Sequence, residues 1–161
     1  MQRFLSTSKF FRKASLSYNF ASIRPFSSTI FDKIVSKELP SDIVYENDKI
    51  LAFRDVNPQA PIHILIIPKS KENLSGLGEA NESNQQILGH MMVKCAEIAQ
   101  LVGIKDNGFR IVINHGKNGC QSVDHIHIHL LGGEQLTWPP GTQKKISKTY
   151  GKEDKPDNYQ H

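Results

Sequence analysis

Within the run Gln121-Ser122-Val123-Asp124-His125-Ile126-His127-Ile128-His129-Leu130-Leu131, residues 125–130 alternate imidazole and aliphatic side chains in strict succession. Alternation with period two is the signature of a β-strand, and it predicts a strand over residues 125–131. All three histidines then share one face, while Ile126, Ile128 and Leu130 share the other and can pack on a helix. A row of three imidazoles is a poor core face, so the row points to chemistry. Two readings compete. In the first the histidines hold a metal, with His63 as a further ligand; His125 and His129, about 13 Å apart on an extended strand, converge poorly on one ion. In the second a neutral imidazole attacks an electrophile while its neighbours orient it. The loop upstream favours the second. Asn114, Gly116, Gly119, Gln121 and Ser122 bring small residues and neutral donors to the histidines. Glycines let backbone N–H groups approach an anion, which suits a phosphate better than a metal.

Outward from the strand, the remaining pattern is that of one compact domain. Apolar runs at 43–46 and 50–55 flank Asn47-Asp48-Lys49 and predict a hairpin. Residues 63–67 (HILII) are almost wholly apolar, as in a strand covered on both faces. Residues 109–114 form a fourth strand ahead of the loop at 115–122. A short helix is expected over 30–37, ending before Leu39-Pro40. A long helix is expected over 83–102. Ser83 and Gln86 would form its capping box, and Ile87, Leu88, Met91, Met92, Cys95, Ile98, Ala99 and Val102 its apolar face. Five strands and two helices without βαβ alternation argue an α+β fold with a meandering antiparallel sheet.

Charge divides the chain. The 161 residues carry a net charge of +4, yet the first 30 hold Arg3, Lys9, Arg12, Lys13 and Arg24 and no acid. The rest holds 15 basic against 16 acidic residues, so the basicity is not a nucleic-acid face on the domain. The basic, Ser-rich, acid-free segment has the composition of a transit peptide, mitochondrial first and plastid second, with Arg24-Pro25-Phe26-Ser27 placing a cut after Phe26. Residues 142–161, past Pro139-Pro140-Gly141, are polar and Lys-rich and read as a mobile tail. No apolar run approaches the roughly 20 residues of a membrane-spanning helix. Cys95 and Cys120 are too few for a disulfide framework. Neither nucleic acid nor membrane is an expected partner.

With these motifs assembled, the sequence resembles the histidine-triad (HIT) superfamily and, within it, the Hint branch. The triad run carries the likeness, with Thr29-Ile30-Phe31, Leu51-Ala52-Phe53 with Asp55, Pro58-Gln59-Ala60-Pro61 with His63, Leu131-Gly132-Gly133 and Trp138-Pro139-Pro140-Gly141. It covers about residues 29–141, so the domain is taken as 27–141. The resemblance implies a HIT-like α+β fold: five mainly antiparallel strands, one long and one short helix, and a homodimer with a continuous ten-stranded sheet. It implies a hydrolase without metal or cofactor. The enzyme would cleave purine nucleoside phosphoramidates and aminoacyl-adenylate-type substrates to AMP through a covalent nucleotidyl-histidine on His127. His63, His125, His129 and Ser122 would complete the catalytic set. Asp55 would bind the ribose, and Phe31, Ile34, Phe53 and Val56 the base. Asn114, Cys120, Gln121, Ser122, His127 and His129 would line the phosphate side, and Trp138 would reach the partner's active-site edge.

Four features depart from the family pattern. Cys120 stands where glycine is commoner, and His115 where an acid is common. Ile30-Phe31-Asp32-Lys33 replaces the Cys-x-x-Cys of some bacterial relatives, and the tail is long. Two other functions compete with the phosphoramidase. A dinucleoside polyphosphate hydrolase of the Fhit-like branch would use the same nucleophile, but Trp-Pro-Pro-Gly argues against it. A nucleotide-binding scaffold would leave the intact triad without a purpose.

Overall fold

A computed structural model of the chain describes residues 28–138 and 140. The expected leader (1–26) and tail (142–161) lie outside the described residues. Helix α1 spans Ile30–Val35, and strands β1 and β2 span Ile43–Glu46 and Ile50–Arg54. Strand β3 spans Ile62–Pro68, helix α2 Gln85–Leu101, β4 Phe109–Val112 and β5 Ile128–Gly132. The strands form one sheet in the order β1-β2-β3-β5-β4, and every neighbouring pair is antiparallel. This is the expected fold class.

Alternation distributes each strand's side chains between two layers. Ile50, Ala52, Ile64, Ile66, Ile128 and Leu130 face α2 and pack on Met91, Cys95, Ile98 and Ala99. On the opposite face Leu51, Phe53, Leu65 and Ile67 pack on Phe31 and Ile34 of α1. Strand β3 lies at the centre and serves both layers, which is why its sequence lacks polar alternation.

Four expectations need correction. The long helix is not capped by Ser83 and Gln86. A 3-10 turn at Glu82–Asn84 precedes it, closed by an Asn81–Asn84 capping box, and the Ser83 hydroxyl donates to Asn81 Oδ1 at 2.7 Å. Asn competes well for this position because its short side chain reaches its own backbone neighbours. Met92 is 45% exposed, so only Met91 of the Met pair is core. Strand β5 pairs from Ile128, three residues later than expected. The Ile126 N–H donates to the Leu74 carbonyl in the segment after β3, and not across the ladder. Residues 125–127 therefore reach the sheet through a loop, although the in–out alternation continues through them. The short helix also stops at Val35, two residues early.

Candidate active site

The site lies on the α1 face, where β3 and β5 run side by side. His63 pairs with Leu131 and His129 with Leu65, which makes His63 and His129 diagonal neighbours on one face. His63 Nε2 and His129 Nδ1 are 2.9 Å apart. The Gln59 N–H donates to His63 Nδ1 at 3.1 Å. A ring nitrogen that accepts from an N–H carries no proton, so neutral His63 holds its proton on Nε2 and donates to His129 Nδ1. Neutral His129 then carries its proton on Nε2, 3.4 Å from the Asn114 amide. That proton needs the amide oxygen of Asn114 facing it, and either end of the amide fits the same shape.

The middle histidine is fixed by backbone. His127 Nδ1 lies 2.8 Å from the His125 carbonyl oxygen. A carbonyl can only accept, so Nδ1 bears the proton and Nε2 keeps its lone pair. The His125 ring is fully buried, and its Nε2–H donates to the Pro68 carbonyl at 2.9 Å. The Phe31 ring stands edge-on to His127 at 5.2 Å and to His125 at 5.8 Å. His127 and His129 are T-shaped at 4.9 Å.

Burial keeps these rings uncharged. Burial first, then His127 and His63, push His129 down to about 4, with Asp55 pulling the other way. His63 is lowered by burial against the pull of Asp55. His125 is lowered by burial, against the Pro68 carbonyl and Asp32, while Lys71 and His127 push it down further. At neutral pH His63, His125 and His129 are hydrogen-bonding rings and not cations.

The other sequence-picked residues divide. Asp55 accepts from the Asn57 N–H at 2.8 Å, and its other oxygen lies 3.4 Å from His63 Nε2. The turn after β2 thus brings a carboxylate to the histidines. Asp55, His63 and His129 each present a ligand atom within 4.8 Å of the others, a trio that could hold a metal ion. The 2.9 Å separation of the two rings is that of a hydrogen bond, so an ion would have to replace the shared proton. Phe31, Ile34 and Phe53 are buried together, with Phe31 against the histidines, whereas Val56 is 100% exposed.

The loop at 114–122 stands near through Asn114. Cys120 and Ser122 are exposed on it. Cys120 has φ 60°, a left-handed conformation that favours glycine, which accounts for glycine being commoner there. Gln121 is wholly engaged. Its amide donates to the Ser75 and Val123 carbonyls at 2.6 and 2.8 Å and accepts from the Gly116 N–H at 3.1 Å. His115 accepts from the Gly78 N–H at 3.2 Å, and a Cβ at Gly78 would fall on its ring. Both residues stitch the loop to the segment after β3. Trp138 is 73% exposed, at the end of a segment held to β4 by Arg110, which donates to the Thr137 carbonyl at 2.7 Å.

Two charged residues near the triad were missed. Asp32 lies 3.4 Å from His125 and pairs with Lys71 at 3.2 Å. Thr29-Ile30-Phe31-Asp32 was legible as a capping box, but its contact with a histidine 93 positions away was not.

A family model for the HIT domain matches residues 36–136. A 14 kDa zinc-binding protein of Zea mays is 59% identical over 115 residues, covering 71% of this chain and 89% of its own. Adenylylsulfatase HINT1 of Arabidopsis thaliana is 56% identical over 115 residues, covering 71% of this chain and 78% of its own. The crystal structure of a HIT family hydrolase from Legionella pneumophila superposes with a TM-score of 0.68 at 43% identity, covering 71% of this chain and all of that one.

Proposed function

The chain belongs to the HIT domain family, and on that premise we propose that it hydrolyses purine nucleoside phosphoramidates, and related AMP derivatives, to AMP. It is a HIT-family hydrolase; the substrate and the covalent step are the finer reading. One observation carries it: the His125 carbonyl holds the His127 proton on Nδ1, leaving Nε2 as a neutral nucleophile. In this scheme Nε2 attacks the α-phosphorus and a P–N bond to the ring forms. The P–N bond to the amine breaks, and its electron pair leaves with the amine. The departing nitrogen takes a proton at the open side, where the Ser122 hydroxyl relays it from water. Water then cleaves the nucleotidyl-histidine, releasing AMP and restoring the ring. His129, uncharged, turns its Nε2–H from the Asn114 amide to a phosphoryl oxygen as charge grows there. Asp55 binds the ribose, and Phe31, Ile34 and Phe53 form the floor of the base site.

The same attack on phosphorus would serve adenylyl sulfate, the substrate class in the name of the Arabidopsis relative. A second reading is favoured by the Asp55–His63–His129 trio and by the name of the maize relative: a divalent ion held by these three residues. It would displace the His63–His129 proton, so the two readings make opposite predictions for a chelator. The deciding experiment measures turnover of a fluorogenic adenosine phosphoramidate by residues 27–161, wild type beside His127→Ala, with and without chelator. The expected result is turnover that ignores the chelator and falls at least about a thousandfold in the variant, with AMP binding retained. Turnover abolished by the chelator favours the metal reading. No turnover by folded, AMP-binding protein shifts the weight to a scaffold or a dinucleoside polyphosphate substrate.

We also propose a homodimer and a mitochondrial address, the latter from the first 30 residues. Light scattering tests the first. Import of a fluorescent fusion of residues 1–30 tests the second, with plastid uptake as the competing outcome.

A further inference from the structure

Behind the nucleophile lies a charged group that the scheme above does not use. Asp32 Oδ2 accepts three hydrogen bonds: from the Thr29 N–H at 2.7 Å, the Thr29 hydroxyl at 2.8 Å and Lys71 Nζ at 3.2 Å. Oδ1 takes none of these and faces His125 Nδ1 at 3.4 Å. That Nδ1 is fully buried and has no hydrogen-bond partner among the described residues. The opposite nitrogen of the same ring is committed to the Pro68 carbonyl. His125 is thus held between two groups that only accept. A neutral ring leaves a lone pair facing a carboxylate oxygen, an uncompensated buried contact.

We propose that Asp32, clamped by Lys71, is a positioning residue for the nucleophile and acts through His125. The role presupposes His127 as the attacking imidazole. Its physical basis is a chain of three contacts. Asp32 and Pro68 bracket the His125 ring, the His125 carbonyl holds the His127 Nδ1–H, and that proton leaves the lone pair on Nε2. When Nε2 bonds to phosphorus, the His127 ring gains positive charge, which grows on the N–H that His125 holds. A carboxylate anion fixed behind His125 favours that charge. The carboxylate is kept ionised: against the cost of burial, the Thr29 hydrogen bonds and Lys71 hold Asp32 below its usual range. The charged and titratable groups facing His125 are Asp32 from α1, Lys71 from the segment after β3, and His127 from its own run.

The test uses the whole chain, labelled with 15N-histidine, as wild type, Asp32→Asn and Lys71→Met. The Asp32→Asn change keeps the shape and an acceptor for Thr29 but removes the charge, so kcat for the adenosine phosphoramidate should fall roughly tenfold or more. KM should stay within about twofold, since Asp32 touches no part of the substrate in this scheme. The ring 15N shifts supply a readout free of activity. In Asp32→Asn the His125 titration should move to lower pH, because the anion favouring the proton is gone. In Lys71→Met it should move to higher pH, because the opposing ammonium is gone. A purely structural role lowers melting temperature in either variant without this opposition of sign. The inference is overturned by an unchanged kcat in Asp32→Asn, whatever its titration does, or by both variants moving the His125 titration the same way. Should wild type fail to turn over the phosphoramidate, the proposed function falls and the positioning role with it, whereas turnover with an unchanged kcat in Asp32→Asn overturns the positioning role alone.

Discussion

The two faces of the sheet are built from the same strands under opposite rules. Toward α2, β3 and β5 present Ile64, Ile66, Ile128 and Leu130, and packing satisfies every one of them. Toward α1 the same strands present His63, Leu65 and His129, with His127 just upstream. There the cost is polar: buried rings must find partners, and His63, His125 and His129 are held uncharged. One face contributes stability, while the other uses some of it to hold nitrogen lone pairs in fixed places. Alternation is what lets the two coexist one residue apart.

The largest effect on stability should come from the first face. Ile66→Ala, in the centre of the α2 layer, should cost about 2–5 kcal/mol in denaturant unfolding. The turnover of the folded fraction should be unchanged. A drop in kcat as large as that in stability would mean the two faces are not separable.

The mirror experiment is His129→Asn. Loss of its Nε2–H toward the phosphoryl oxygen should slow turnover about a hundredfold. Its effect on stability should depend on pH. A buried histidine whose folded pKa lies below its unfolded value binds fewer protons folded than unfolded. Nothing is lost above the ordinary value of 6.5, and stability falls as pH drops from there toward about 4. Thermal melts of wild type from pH 7 to pH 4 should show this decline, and His129→Asn should flatten part of it. Equal slopes for the two proteins would show that His129 is not held uncharged.

The smallest effect belongs to the loop. Cys120→Gly removes a side chain from a left-handed position, a gain of about 1 kcal/mol at most. It should leave kcat near wild type, since the Cys120 side chain is exposed. A large rise in activity would show instead that the thiol obstructs the phosphate side.

These contrasts explain what the sequence made legible. The triad face follows from local alternation, and the hairpin and the buried central strand from apolar runs between turn residues; none of these needs knowledge of partners. Position 128 as the true start of β5 does not, because it depends on the Leu74 carbonyl taking the Ile126 N–H. Asn81 displaced Ser83 as the cap for a similar reason: both suit the position, and the 3-10 turn decides. Within the site, the His63–His129 pairing was readable only as a possibility, whereas register makes it a contact. Gln121 was read as a neighbour of the phosphate because it precedes the triad in sequence, and His115 was given no role. Their hydrogen bonds run to residues 75–78. Asp32 and Lys71 stayed hidden because nothing local marks a salt bridge that ends on a distant imidazole.

The central claim is that His127 becomes covalently bonded to the nucleotide. Rapid quenching of wild type with an adenosine phosphoramidate, followed by peptide mass spectrometry under mildly basic conditions that spare a P–N bond, tests it directly. The account predicts an AMP adduct on the peptide carrying His127, formed and lost at rates that sustain turnover and absent in His127→Ala. Full turnover with no adduct at any quench time, or an adduct confined to another residue, would contradict it.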